Sequence, residues 1–476
     1  MSLEQKKRLA LKQLLIVDFI TAILAWLAFW FYRQEWLHDV YPSMYPHGRA
    51  WNLRDYALTF AIVPTAWIFC YYICGTYFDL YRKSRVVEIT RTLVSSIIGA
   101  LALGFIAFAN DVDSFKYFFE ITSLYFITHF IIVSIARMLL LKHIKNELLT
   151  GKVQYNTVII GSNGKAQQVY DTITQNKEVI GNKFLGVIND VAVKGSHSTA
   201  NLPVLGAISE IEQIISEYDI HELIIALESH EHETLERILI QLSYIDVDVK
   251  VLPDLYDFIS GSIKVNSIFR PLLININPQV LPDWQRVVKR VFDVLVSGIT
   301  ILCLSPLYVF AAIKTKLSSP GPIFYKQERV GWRGRPFFII KFRSMYTDAE
   351  KQGPQLSSDH DKRITPWGKI MRKWRIDEIP QFFNVLKGEM SLVGPRPERA
   401  YFIEKITATH PHYKFLHRVK PGITSWGMVE YGYAENVQQM IERMRYDLLY
   451  IQNCSLILDL KIVIYTVKVL FQGRGK

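Results

Sequence analysis

The chain has 476 residues, half of them hydrophobic and 13 % aromatic, and its 55 Lys and Arg against 44 Asp and Glu give a formal net charge of +11. A composition this apolar excludes an ordinary soluble enzyme and points to membrane segments, and the length allows about two to four domains. The positive balance implies an anionic partner, lipid headgroups or a phosphorylated substrate; with no RNA-binding signature and no zinc-finger spacing, nucleic acid is not expected.

Four apolar stretches, at about residues 9–32, 56–78, 89–109 and 118–141, fill the N-terminal part. Each is close to the ~20 residues that cross a bilayer core, so residues 1–150 are expected to form a four-helix transmembrane region. Lys6, Lys7, Arg8 and Lys12 precede the first stretch, Arg82, Lys83, Arg85 and Arg91 surround the start of the third, and Arg137, Lys142, Lys145 and Lys152 end or follow the fourth. The other two loops hold Arg33, Arg49, Arg54 and Lys116, offset by Glu35, Asp39, Asp111 and Asp113. Positive charge collects on the cytoplasmic side, which puts both ends of the bundle there. The first stretch is too long for a cleaved signal peptide and lacks a small-residue cleavage site. Cys70, Cys74, Cys303 and Cys454 lie in or near apolar segments without zinc-like spacing, which argues against a disulfide scaffold.

Residues 151–265 read as a Rossmann-like α/β domain. Strand patterns at 156–161, 184–188, 222–226 and 247–252 alternate with helical ones, as in a parallel sheet. The glycine loop after the first strand keeps Gly161 and Gly164 but carries Gln167 at the third glycine position. Gln167 would crowd a pyrophosphate or the helix–strand contact, so the loop is weak evidence for a nucleotide. Residues 266–284, with Pro271, Pro278 and Pro282, read as a linker.

The remainder, 285–476, opens with Arg286, Lys289 and Arg290 ahead of a fifth apolar segment at 291–313. It is long enough to cross. However, Ser305-Pro306 in its interior predicts a kink, Asp293 prefers an interface, and Lys314 and Lys316 leave neither end marked as outside. Those features favour a segment that dips in and returns. Two strand-like runs within 323–345 flank Gly331-Trp-Arg-Gly334, with Lys326, Arg329, Arg333, Arg335, Lys341 and Arg343 against Glu328 alone, and suggest a hairpin facing headgroups.

The stretch 365–399 organises the rest. Thr365-Pro366 is an N-cap with proline at the first helical position, starting a basic helix with Lys369, Arg372, Lys373 and Arg375 that should stop before Pro380. A second helix should run to Lys387 with Gly388 beyond its end. Asp377 and Glu378 fall near the start of that second helix, where the dipole favours negative charge by roughly 0.3–1 kcal/mol. An acidic pair there is also ordinary helix chemistry, but two carboxylates beside four cations make a site for metal and phosphate. Further on, 438–452 reads as a helix, and 456–471 as a helix lying in the membrane interface.

Phe292-Asp293 with Ser305-Pro306, Lys341-Phe-Arg-Ser-Met345, Arg372 ahead of Asp377-Glu378, Asn384-Val-Leu-Lys-Gly388, Gly394-Pro-Arg-Pro397 and Lys420-Pro-Gly-Ile-Thr424 stand in register. Together they resemble the polyprenyl-phosphate hexose-1-phosphate transferases, the monotopic phosphoglycosyl transferases among bacterial sugar transferases. The layout is similar to the large type: a four-helix transmembrane bundle, a Rossmann-like α/β domain, then a mixed α/β catalytic domain with a re-entrant membrane helix. The resemblance implies transfer of a sugar-1-phosphate from a UDP-sugar to undecaprenyl phosphate with Mg²⁺ and release of UMP, an early membrane step of exopolysaccharide, capsule or glycan synthesis. It implies Asp377 as nucleophile, Glu378 as its partner in catalysis and metal binding, and Arg372 on a substrate phosphate. Lys341, Arg343, Arg375 and Arg396 are the other candidates for phosphate contacts, and Ser305 and Pro306 for the re-entrant bend. It further implies the bacterial inner membrane, both soluble domains on the cytoplasmic side, lipid contacts and a homodimer. The competing readings are a membrane-tethered nucleotide-sugar dehydratase or epimerase, for which 153–265 lacks a Tyr-x-x-x-Lys pair, and a polysaccharide-assembly scaffold, which gives no reason for Asp377-Glu378 among arginines. An accessibility tag after Lys316 is expected to react from the same side as one after Lys152; reaction from opposite sides would establish a fifth crossing.

Overall fold

The structure, a computed structural model, describes residues 2–40, 53–108, 115–161, 164–175, 181–189, 202–227, 232–252, 273–276, 280–349, 353, 355 and 361–471. The chain divides into two units, Met1–Tyr155 with Lys177–Lys183 and Asn156–Asn176 with Phe184–Lys476.

The first unit packs four helices: α1 (Leu3–Val40), α2 (Leu53–Ile73), α3 (Arg85–Leu103) and α4 (Phe115–Leu149). Among the described residues three spans are long and apolar enough to cross a membrane, Leu3–Phe31, Arg85–Ile106 and Phe118–Leu149, and the second helix contributes the shorter apolar run Leu58–Ile73. Arg49, Asp111 and Asp113, used to orient the bundle, lie outside the described residues. All four helices supply the core: Trp26 and Phe29 meet Val63, Trp67 and Tyr71, Ala100, and Ile121 and Tyr125. Gly99 permits the closest approach, since a Cβ there would fall 2.3 Å from the Trp67 ring.

A buried polar cluster crosses this apolar interior. Arg137 donates through Nε and Nη2 to both oxygens of Asp18, each at 2.8 Å, and through Nη1 to Thr92 Oγ1 at 2.9 Å and Glu88 at 3.3 Å. Lys83 donates to Glu88 at 3.0 Å, and the Tyr71 ring lies 4.0 Å beneath the Arg137 guanidinium. All four helices therefore meet at Arg137, α3 through both Glu88 and Thr92. Buried charges persist only when paired and hydrogen-bonded, so this cluster fixes how the helices are aligned. Arg137→Met strands Asp18 and should cost about 3–5 kcal/mol, lowering the thermal midpoint of the detergent-solubilised protein, while adding Asp18→Asn should recover part of the loss.

In the second unit, a mixed α/β sheet comprises β1 (Tyr155–Ile160), β2 (Asn182–Asn189), β3 (Val204–Ala207), β4 (Glu222–Ile225), β5 (Asp248–Val251) and β6 (Ile274–Asn275), in the order β3-β2-β1-β4-β5-β6. The β2–β3, β1–β4 and β4–β5 pairs are parallel, and β6 closes one edge antiparallel. Helices α5 (Gly164–Gln175), α6 (Ile211–Glu217) and α7 (His232–Gln241) supply the connections. The four expected strands are present, and the structure adds β3 and the two-residue β6. Part of the expected linker is thus an edge strand, and its Pro271 and Pro278 lie outside the described residues. Gly161 has φ +134°, and a Cβ there would sit 2.4 Å from the Ala226 carbonyl oxygen, so close strand approach accounts for this glycine. Residues 162 and 163 of the glycine loop lie outside the described residues, and the Gln167 amide donates to Asp171 on its own helix at 2.9 Å.

The C-terminal region begins with α8 (Asp283–Cys303) and α9 (Ser305–Ser318), bent by 64° at Leu304. Pro306 opens the second helix, and the Ser305 hydroxyl donates back to the Leu302 carbonyl at 2.8 Å. Strands β7 (Phe324–Val330) and β8 (Pro336–Phe342) pair antiparallel over their whole length. Most of the hairpin's cations, expected to face headgroups, have partners within the protein. Arg329 pairs with Glu398, Lys341 with Glu378 and Arg333 with Asp246, while Arg343 donates to carbonyls; Lys326 and Arg335 are exposed. Charge counting could not register the distant carboxylates that claim these cations. The Arg333–Asp246 pair, Tyr244 on His417 at 2.9 Å and His412 on Glu236 at 2.7 Å join the sheet region to the C-terminal region.

Candidate active site

Helix α10 (Pro366–Lys373) starts as its sequence requires, with the Thr365 hydroxyl accepting from Gly368 N at 2.9 Å. It ends seven residues before Pro380. Arg375 takes a left-handed conformation at φ 53°, which breaks the helix, and Ile376–Glu378 forms a separate 3₁₀ turn. Asp377 and Glu378 therefore stand on that turn and not in the first turn of α11 (Gln381–Lys387), which begins after Pro380 and ends at Gly388, φ 86°. The pattern of helix formers could not reveal a left-handed arginine.

Backbone contacts hold the turn in place. Tyr308 of α9 donates its hydroxyl to the Ile379 carbonyl at 2.6 Å. Arg290 of α8 caps α11 through the Val385 and Leu386 carbonyls at 2.6 and 2.8 Å, and Asp293 accepts from Leu392 N at 3.0 Å. The Asn384 side chain accepts from Ile340 N at 3.0 Å and donates to the Phe338 carbonyl at 2.8 Å, setting β8 and its Lys341 beside the turn. Strands β9 (Ser391–Val393) and β10 (Gly422–Thr424) pair in parallel, which brings Gly394-Pro-Arg-Pro397 against Lys420-Pro-Gly422. A Cβ on Gly394 would lie 2.2 Å from the Lys420 carbonyl oxygen, so this loop closes only with glycine there.

These elements enclose a cavity of about 490 Å³ that receives Lys341, Arg372, Asp377, Glu378, Arg396 and Tyr433. Its size is that of a small-molecule site. Asp377 and Glu378 are 7 % and 6 % exposed. The cations converge on Glu378: Lys341 Nζ at 2.9 Å, and Arg375 and Arg396 at 3.6 Å each. Burial pushes Glu378 up, but Lys341, Arg396 and Arg375 outweigh it and hold this carboxylate well below the usual range. Asp377 has no salt bridge among the described residues, and burial together with the neighbouring Glu378 charge raises it. Adjacent carboxylates are thus pushed apart, Glu378 lowered by its counter-ions and Asp377 raised.

A second layer anchors the cations. Glu398 accepts from Arg443 at 2.7 Å and Arg329 at 3.1 Å and lies 4.0 Å from Arg396, and the Tyr433 ring is 5.0 Å from the Arg375 guanidinium and 5.1 Å from that of Arg396. The sequence reading missed Glu398, Arg329, Arg443 and Tyr433; only the position of Glu398 directly after the Pro-Arg-Pro turn could have drawn attention to it. Arg372 donates to Ser344 Oγ at 3.0 Å and lines the cavity. Arg343, expected on a phosphate, spends its guanidinium on the Pro320 and Ser319 carbonyls at 2.5 and 2.6 Å and ties β8 to the end of α9. Of the expected phosphate ligands, Lys341, Arg343, Arg372 and Arg396 line the cavity, Arg343 being also tied to carbonyls, and Arg375 reaches Glu378.

No third Asp, Glu, His or Cys completes a metal cluster with the acidic pair among the described residues. Two carboxylates still fit Mg²⁺, which binds through one or two carboxylates plus substrate phosphates and keeps several waters.

Residues 284–473 match the family model described as bacterial sugar transferase, and residues 72–253 one described as a CoA-binding domain. The UDP-glucose:undecaprenyl-phosphate glucose-1-phosphate transferase of Xanthomonas campestris pv. campestris is 32 % identical over 84 % of each chain. The Escherichia coli K12 protein of the same name is 28 % identical over 82 % of this chain and 84 % of its own. The UDP-N-acetylgalactosamine-undecaprenyl-phosphate N-acetylgalactosaminephosphotransferase of Aeromonas hydrophila is 39 % identical over half of this chain and 56 % of its own length.

Since Glu378 helps to raise Asp377, Glu378→Gln should move the Asp377 titration to lower pH, both by removing the like charge and by freeing three cations to act on Asp377. Infrared difference bands of the protonated carboxyl, identified by their loss in Asp377→Asn, check the direction. An unmoved titration would show that the two groups are not coupled.

Proposed function

We propose, from the premise that this chain belongs to the bacterial sugar transferases, that it transfers a sugar-1-phosphate from a UDP-sugar to undecaprenyl phosphate, with release of UMP, as an early membrane step of glycan synthesis. The observation that carries this reading is the asymmetry of the acidic pair: Glu378 is held by three cations, and Asp377 in the same cavity has no salt bridge among the described residues.

The chemistry follows from that asymmetry. A diphosphate repels an anionic nucleophile, so Arg372, Arg396 and Lys341 must first neutralise its oxygens. Asp377 Oδ then attacks the sugar-bearing phosphorus. A carboxyl–phosphate bond forms, the phosphoanhydride bond breaks, and its electron pair leaves on UMP. A phosphate oxygen of undecaprenyl phosphate attacks the same phosphorus and expels Asp377 as a carboxylate, so the enzyme is regenerated with no net proton transfer. Dividing the transfer into two steps lets one cation cluster serve both. Asp377 and Glu378 would hold Mg²⁺ together with the diphosphate, and the ion supplies further neutralisation of the transferring group.

The lipid acceptor places the site at the headgroup plane. In this reading α1 to α4 cross the bacterial inner membrane as a bundle, both ends cytoplasmic, and the 64° bend at Leu304 returns α8 and α9 to the side they entered from. The direct bonds from Tyr308 and Arg290 to the catalytic turn and to α11 support this, because they tie the depth of the bent pair to the depth of the chemistry. Exposed Ile457, Leu460 and Ile464 on α12 (Leu456–Phe471) suit a helix lying in the interface beside it.

Asp377→Asn should abolish UMP release from UDP-sugar while leaving membrane insertion and thermal stability within ~0.5 kcal/mol of the parent, as for a change that removes no packing. Intact-mass measurement after incubation with a UDP-sugar and no lipid should find a phosphosugar adduct that maps to Asp377. Turnover in the asparagine variant would exclude the covalent route.

A further inference from the structure

A groove of about 530 Å³ lies on the first unit between α3 and α4, remote in sequence from the catalytic residues. Arg85 and Ile89 line it from α3; Phe130, Ile135, Leu139 and Lys142 line it from α4. Ile89, Ile135 and Leu139 are exposed apolar side chains. Arg85 opens α3, and Lys142 lies toward the end of the antiparallel α4, so both cations stand at the same end of the groove. Neither has a salt bridge among the described residues, whereas the interior cations Lys83 and Arg137 are paired with Glu88 and Asp18.

We propose that this groove is a second lipid-phosphate site, which holds a polyprenyl phosphate with its phosphate on Arg85 and Lys142 and its isoprenoid chain along the apolar floor. The identity of the lipid rests on the acceptor proposed above. From Lys142 back to Phe130 is twelve residues, about 18 Å of helix. That is the depth of one leaflet of a ~30 Å hydrocarbon core, so the floor follows a lipid chain inward from the headgroup plane. Two unpaired cations match the dianion of a phosphate monoester better than the single charge of a phospholipid diester. Seated there, an acceptor lipid is retained by the same chain that consumes it, which raises its effective concentration without a new contact in the catalytic cavity.

The test uses the full chain in phosphatidylethanolamine nanodiscs with a diazirine-bearing polyprenyl phosphate, photolysed and mapped by peptide mass spectrometry. Adducts are expected within residues 130–142, competed by unlabelled undecaprenyl phosphate but not by equimolar phosphatidylglycerol. Arg85→Gln/Lys142→Gln should lower labelling there about tenfold, and Ile135→Trp/Leu139→Trp, which fills the floor, should do the same. Lipid-independent UMP release, read in the same preparations, should be unchanged in both variants. Labelling of 130–142 that survives both variants, or that phosphatidylglycerol competes equally well, would overturn the site. Loss of UMP release in the parent would instead overturn the catalytic reading and leave the labelling result to stand by itself.

Discussion

Everything in the catalytic cavity depends on how the charge of Glu378 is spent. Lys341, Arg375 and Arg396 reach this carboxylate from β8, from the break after α10 and from the loop after β9, three separate parts of the chain. Buried beside Asp377, an unpaired Glu378 would be costly and would share its proton with its neighbour. Paired as it is, it keeps the cations in the cavity before any phosphate arrives. Glu398 repeats the device one layer out, where Arg329 and Arg443 hold it and it faces Arg396. The cations are thus held in place by internal anions, the preorganisation that the proposed transfer would need.

The apolar helices and the reactive turn are parts of one assembly. Arg290, Asp293 and Tyr308 from the bent pair bond backbone groups of α11, β9 and the residue after the catalytic turn, and Lys289 reaches both the Val393 carbonyl and Asp459 of the C-terminal helix. Basic residues that would serve as headgroup anchors on an isolated membrane helix are here committed to satisfying backbone carbonyls. This arrangement fixes the Ile376–Glu378 turn to the bent pair of apolar helices, as the proposed lipid acceptor would require.

The N-terminal unit solves a different problem. In an apolar surrounding, alignment of helices gains little from burial of leucine and much from polar groups that must find each other. The Asp18–Arg137–Glu88–Lys83 cluster, with His129 hydrogen-bonded between Tyr71 at 2.9 Å and Ser96 at 3.1 Å, supplies that alignment. The cations at the α3–α4 groove have no salt bridge among the described residues, and this contrast with the paired interior cations underlies the binding site proposed there.

Local and periodic signals in the amino-acid sequence determined the apolar helices, four strands of the sheet (β1, β2, β4 and β5), the Thr365 cap, the Gly388 end and the adjacency of Asp377 and Glu378. Each of these rests on neighbours within a few residues, where hydropathy period and capping chemistry act directly. The bend at Ser305-Pro306 was legible for the same reason. Tertiary structure alone decided which carboxylate is neutralised, that the pair stands on its own 3₁₀ turn behind a left-handed Arg375, and that Arg343 and Arg333 are tied to carbonyls and to Asp246 within the protein. Those outcomes depend on Lys341, Arg396, Glu398 and Asp246, which come from distant parts of the chain. A count of charges along the chain cannot show which of them meet, because pairing is set by the packing of strands and helices that bring them within 4 Å.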